Sequence, residues 1–251
     1  MSNDEIMARA NKIATGLIAK GVSHGEAINL LMRNDIEFIV GMAAATQIGA
    51  VGTPINTHFS AISHSDLWHN LSEKVIPLLE REVTILLVET PKYLRAPYKI
   101  SDELCTLRSG DIELAEWESK FSPHEKAVSV RPAAMIYTSG TTGRPKGVRR
   151  KEAVSVKLKN HHNAYVAGMR CLLAAPLYHS APFSTADGVF AVEGDLILTP
   201  RFDPEFYLTL IEKHRITHSF MVPTMFTRLL KLPDAIRLKY DVWQIFPLRS
   251  K

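Results

Sequence analysis

This sequence predicts an α/β fold in which mostly parallel sheets are flanked by helices. Two observations carry the prediction. Short apolar runs of strand length alternate along the chain with longer segments of helical periodicity, the pattern of β-α-β units. The composition, 46% hydrophobic and 22% charged over 251 residues, supplies a sizeable core and lacks the signature of a disordered chain. At roughly 150 residues per domain, this length fits one large domain or two modest ones.

The elements follow in order. Residues 2–20 read as an amphipathic helix, because Ile6, Ala10, Ile13, Leu17 and Ile18 recur at helical spacing. Ser2 and Glu5 have the form of a capping box, and Gly21 stands where a C-cap belongs. Residues 27–32 read as a buried strand, 35–48 as a helix closed by Gly49, and 51–54 as a strand, together a β-α-β unit. A strand over 84–88 follows. The polar stretch 89–124, with prolines at 91, 97 and 123, reads as a long surface connection holding short elements. Alternation resumes with a strand at 133–137 and a polar helix at 151–165. Strands at 171–175, 196–199 and 217–222 then alternate with helices at 183–191, 203–214 and 223–231, Pro223 fitting a first helical turn. No repeat or low-complexity tract interrupts this order.

Charge and cysteine content narrow the function classes. The formal net charge of +4 is too weak to argue for nucleic acid and is compatible with an anionic ligand such as a nucleotide. Cys105 and Cys171 form no CxxC unit, so a disulfide scaffold or zinc ribbon is not expected and a reduced, cytoplasmic location is. The first residues have neither a basic nor an apolar signal region. No run reaches the ~18 apolar residues of a spanning helix, so no transmembrane segment is expected.

The chemistry concentrates in one loop: Tyr137-Thr138-Ser139-Gly140-Thr141-Thr142-Gly143-Arg144-Pro145-Lys146-Gly147. It follows an apolar strand directly. Gly140, Gly143 and Gly147 let the backbone turn sharply and approach a ligand. The hydroxyls of Thr138, Ser139, Thr141 and Thr142 can donate to phosphate oxygens, and Lys146 adds a positive charge. Backbone amides in such a loop make an anion-binding concavity. The order is not that of a P-loop, because Gly143 is followed by Arg-Pro-Lys. The plain alternative is a surface loop of turn-forming residues. Elsewhere the plain readings are preferred: Arg149-Arg150-Lys151 as a solvated helix start, His161-His162 as surface, and Phe220, Met221, Met225 and Phe226 as core.

The segment Ile136 to Val148 resembles the signature of the AMP-binding, adenylate-forming superfamily. Three further stretches are similar to blocks of those enzymes: Pro176-Leu177-Tyr178-His179-Ser180-Ala181-Pro182, Val40 to Asn56, and Val222-Pro223-Thr224. The resemblance is nearest to fatty-acyl-CoA synthetases and long-chain-fatty-acid–CoA ligases. It implies an ATP-dependent carboxylate–CoA ligase acting through acyl-AMP, with a fatty or related carboxylic acid, ATP and CoA as small-molecule partners and Mg2+ beside the phosphates. It implies that Thr138, Ser139, Gly140, Thr141, Thr142, Gly143 and Lys146 hold the ATP phosphates and that His179 borders the substrate pocket. No nucleic acid is expected as a partner.

The sequence departs from the family pattern near Asp241-Val242. Residues 243–251 do not resemble the family's continuation, and neither its later blocks nor the lysine of its small C-terminal domain is found. The expectation is a partial N-terminal domain over 1–242, a non-family tail over 243–251 and no small C-terminal domain, as in a truncated product. Such a chain is expected to have weak or no complete activity and a bare sheet edge with exposed apolar surface. A non-catalytic nucleotide- or protein-binding remnant stays open as the alternative. So do a relative that passes the acyl group to a carrier protein or oxidises it, and a remnant without a stable fold.

Overall fold

The computed structural model describes residues 1–30, 32, 34–54, 84–86, 114–125, 134–138, 146–148, 165–242 and 246–248. The chain forms two compact units, Met1–Val154 and Ser155–Lys251.

In the first unit, helix α1 (Asn3–Ala19) begins at the expected capping box. The Ser2 hydroxyl accepts from the Glu5 N–H at 3.2 Å, and the Glu5 carboxylate accepts from the Ser2 N–H at 2.6 Å. Two of the four N–H groups orphaned at a helix start are thereby satisfied. The chain leaves the helix through Gly21, whose φ of +87° lies in the left-handed region. The buried face is Ile6, Ala10, Ile13, Ala14 and Leu17. It packs against α2 (Ile36–Gln47), which is capped by the Asp35 carboxylate. Strand β1 (Ala27–Leu30) pairs in parallel with β2 (Val51–Pro54) on one side and β3 (Thr84–Leu86) on the other. The predicted β-α-β unit is therefore present as β1-α2-β2.

A short helix, α3 (Leu114–Glu118), docks on α1 and corrects the reading of 89–124 as surface. Trp117 is buried and meets Phe121 edge to face at 5.2 Å. The two rings sit so close to Gly16 that a Cβ there would come within 2.7 Å of each, so this close approach requires glycine. Arg9 joins the three helices. Its Nε reaches Glu118 at 2.8 Å, and its Nη1 reaches Glu37 at 3.2 Å. Half-burial opposes the charge on Arg9, but Glu118 and then Glu37 more than offset it, so the guanidinium pKa lies above its ordinary value. Arg9→Ala would leave two largely shielded carboxylates without their cation. The expected loss is about 2 kcal/mol, less than the cost at a fully buried pair. A thermal melt with an unchanged midpoint would contradict this.

The last elements of the unit are β4 (Ile136–Thr138) and β5 (Lys146–Val148), which form an antiparallel pair. The expected strand at 133–137 thus begins three residues later. Strand β5 stands where a loop running into a helix was read. That helix, 151–165, lies outside the described residues up to Tyr165, which is itself not helical. Also outside them are the runs 149–151 and 161–162, and all of 89–113.

The second unit is a four-stranded, wholly parallel sheet in the order β7-β6-β8-β9. Its elements are β6 (Arg170–Leu173), α4 (Ser180–Ala191), β7 (Asp195–Leu198), α5 (Pro204–His214), β8 (His218–Phe220), α6 (Pro223–Leu230), α7 (Asp234–Arg237) and β9 (Phe246–Leu248). Central strand β6 contributes Cys171, Leu172 and Leu173, all fully buried. Helix α5 lays Tyr207 across the sheet. The Tyr207 hydroxyl bonds the Ser219 hydroxyl, which donates to the Leu172 carbonyl at 3.4 Å. The strand and helix predictions hold here with ends shifted by a few residues. Helix α4 starts at Ser180, three residues before its expected start, because Pro182 is tolerated in a first turn.

One expectation is corrected. Phe226 is not core: it is 44% exposed, because α6 turns Met225 inward and Phe226 outward. Residues 246–248 of the tail pair with β8 in parallel, so the edge of this sheet lies at β9. Pro247 has no N–H to offer a ladder, and it sits on the outermost strand, where proline is tolerated.

Candidate functional site

The β4–β5 register sets the geometry of the loop. Ile136 lies opposite Val148, Tyr137 opposite Gly147 and Thr138 opposite Lys146. Residues 139–145 therefore leave and return through one opposed pair, whose Cα atoms in an antiparallel ladder stand about 5 Å apart. The base of the hairpin is tied to the parallel sheet, since the Met135 N–H donates to the Gly52 carbonyl at 3.0 Å. Of the expected phosphate-binding residues, Thr138 and Lys146 are thus brought together by backbone pairing. Ser139, Gly140, Thr141, Thr142 and Gly143 lie outside the described residues.

His179 belongs to the second unit. It occupies the N-cap position of α4 with extended backbone, φ −92° and ψ 145°. A turn delivers it there, with its N–H donating to the Pro176 carbonyl at 3.1 Å. Its exposed ring rests on that of buried Tyr178, centroids 4.5 Å apart. Burial raises the Tyr178 phenol pKa above its ordinary value. A ring fixed on a buried neighbour at a helix entrance is held in place without filling the core, which suits a wall residue. Sequence reading did not single out Tyr178 as its support.

Other reactive side chains have structural settings. Burial pushes the Cys171 thiol up to about 12, so it stays protonated and unreactive. His218 is buried at the start of β8, its Nδ1 2.8 Å from the Thr217 hydroxyl. Burial lowers its pKa, so the unfolded chain takes up the proton first as pH falls. The stability present above the ordinary histidine value of about 6.5 is then lost as pH drops below it. Melting temperature should fall between about pH 7 and pH 5, and His218→Gln should flatten that slope. An unchanged slope in the variant would assign the effect elsewhere. Among the described residues no group of three His, Cys, Asp or Glu side chains gathers to hold a metal. Nor is any helix among them long and apolar enough to cross a membrane.

Comparison with known proteins agrees with the α/β fold of parallel sheets flanked by helices. The AMP-binding enzyme family matches residues 1–242. The long-chain-fatty-acid–CoA ligase FadD13 of Mycobacterium tuberculosis is 29% identical over 267 residues, covering 98% of this chain and 49% of that protein. A feruloyl-CoA synthase from Amycolatopsis is 28% identical over 241 residues, covering 91% of this chain and 45% of that one. Among solved structures, the inhibitor-bound N-terminal domain of FACL13 from M. tuberculosis superposes with a TM-score of 0.71 at 25% identity, covering 98% of this chain and 61% of that one. ATP-bound MatB from Rhodopseudomonas palustris gives 0.70 at 26%, covering 93% and 47%. The chain belongs to the AMP-binding enzyme family of adenylate-forming proteins, among relatives that are acyl-CoA ligases. It spans about half the length of the curated relatives it matches.

Proposed function

We propose that this chain is the ATP phosphate-binding portion of a carboxylate–CoA ligase that works through acyl-AMP, with a fatty or related acid as substrate. The observation that carries the reading is the anchored β4–β5 hairpin, which closes a Gly/Ser/Thr loop with Thr138 opposite Lys146. Polyphosphate is the ligand this chemistry suits, and a neighbour of similar fold has been solved with ATP.

In this reading a carboxylate oxygen attacks the α-phosphorus and the bond to pyrophosphate breaks. The hydroxyls of Thr138, Ser139, Thr141 and Thr142, the amides at Gly140 and Gly143, and the Lys146 ammonium hold the β- and γ-phosphates and stabilise the charge that leaves with them. His179 borders the pocket for the acid. Mg2+ would be held chiefly through the phosphates themselves, as is usual for that ion, and would neutralise phosphate charge. CoA then displaces AMP.

The 251-residue polypeptide by itself is assigned little or no complete ligase activity, with its phosphate-binding loop retained. Titration with ATP should therefore show saturable binding, while acyl-CoA formation from ATP, CoA and a fatty acid stays near background. Failure to bind ATP or pyrophosphate would remove the reading. Turnover comparable to a full-length ligase would remove only the assignment of low activity.

A further inference from the structure

The loop 139–145 hangs on the β4–β5 hairpin, and the hairpin is tied to β2 at Gly52. The Met135 N–H donates to the Gly52 carbonyl at 3.0 Å, just before β4 begins. Gly52 pairs with Ile28 of β1, and all four residues of β2 are buried. Its backbone is not in the left-handed region, so turn geometry does not demand this glycine. The demand is for space. A Cβ here would lie 2.6 Å from both Sδ and Cε of Met42, and 3.8 Å from the Ala45 Cβ. The first two distances are far inside van der Waals contact. Met42 belongs to α2, which is buried over most of its length and packs on α1. Its own side chain is buried, so the thioether has little room to swing aside.

We propose that Gly52 is a positioning residue for the phosphate loop. Its missing side chain lets the Met42 thioether seat against β2, and that contact sets the height at which the Gly52 carbonyl holds the hairpin. A branched side chain at position 52 meets a helix locked on α1, so β2 yields and the carbonyl moves with it. The shift passes through Met135 to Thr138 at the end of β4 and to Lys146 opposite it. Hydrogen bonds weaken steeply as distance and angle depart from their optimum, so a small displacement at the base costs affinity at the loop. The inference rests on the reading of this loop as a phosphate site; the packing of Met42 on Gly52 does not.

The test is isothermal titration of the full chain with ATP, alongside hydrogen exchange at the Met135 amide read against the amides of β1. Gly52→Val should weaken ATP binding about tenfold, the loss of roughly one phosphate contact. It should also speed exchange at Met135 more than in β1. Gly52→Val combined with Met42→Ala makes room for the new side chain and should bring both readouts back to within about twofold of the parent. Arg9→Ala loosens the helices of the same unit. It should lower the melting temperature and leave ATP affinity within about twofold of the parent. If Gly52→Val does not fold, Gly52→Ala takes its place, with an expected loss of about threefold. A folded Gly52 variant that binds ATP like the parent would overturn the proposal. So would a double variant that restores nothing, or an Arg9 variant that loses as much affinity as Gly52→Val. A parent chain that binds no ATP removes the phosphate reading instead. Met135 exchange then decides the anchor by itself, and an unchanged rate in the Gly52 variant would remove the anchor too.

Discussion

Lys146→Ala is expected to weaken ATP binding by about ten- to a hundredfold. A hydrogen bond to a charged partner contributes about 1.5–3 kcal/mol, and each 1.4 kcal/mol is a factor of ten in affinity. Lys146 opens β5 directly opposite Thr138, so the substitution removes the cation at the point where the loop closes and leaves the backbone pairing intact. Arg150→Ala is the companion variant. If the basic run after the loop serves only long-range attraction, that variant should change affinity by less than about twofold, and the change should vanish at high salt. Isothermal titration with ATP and with pyrophosphate separates the two. Loss of affinity for both ligands in the Lys146 variant places its contact on the departing pyrophosphate. Undiminished affinity would remove Lys146 from the site.

Tyr207→Ala carries the largest expected cost in stability, about 3–5 kcal/mol, the range for truncating a buried aromatic. Tyr207 is among the largest fully buried side chains and fixes α5 on the sheet. Its hydroxyl meets Ser219, and burial keeps the phenol neutral by raising its pKa. Tyr207→Phe removes only that bond and should cost about 1 kcal/mol. For a chain of this length the two variants should melt about 10 °C and about 3 °C below the parent. Equal shifts would mean that the hydroxyl network, and not ring packing, holds α5 in place.

Much of the architecture was legible because it rests on local chemistry. The capping box at Ser2 and Glu5, the glycine exit at residue 21 and the proline at the head of α6 are short-range devices, and each acts where sequence put it. The β1-α2-β2 unit was equally plain, since a helix buried on most sides and two short apolar strands leave few other arrangements. The loop's composition suggested a phosphate cradle, and of its residues the described ones are Tyr137, Thr138, Lys146 and Gly147.

Other features had no local signal. Lys146-Gly147-Val148 holds one strongly apolar residue, too little periodicity to announce β5, and only pairing with β4 makes it a strand. Trp117 sat in a polar stretch, and its burial depends on Gly16, a hundred positions earlier in the chain. Phe226 and Met225 are neighbours of similar hydrophobicity, and the rotation of α6 against the sheet put one inside and the other out. The tail strand at 246–248 carried no strand signal that sequence reading picked up, yet an open backbone edge accepts a segment that can extend beside it. The sequence by itself determined the alternation of elements, their caps and the chemical character of the loop, because those depend on residues a few positions apart. Tertiary structure alone decided which faces are buried, which strands pair and how the loop is closed, because those depend on contacts between residues far apart in the chain.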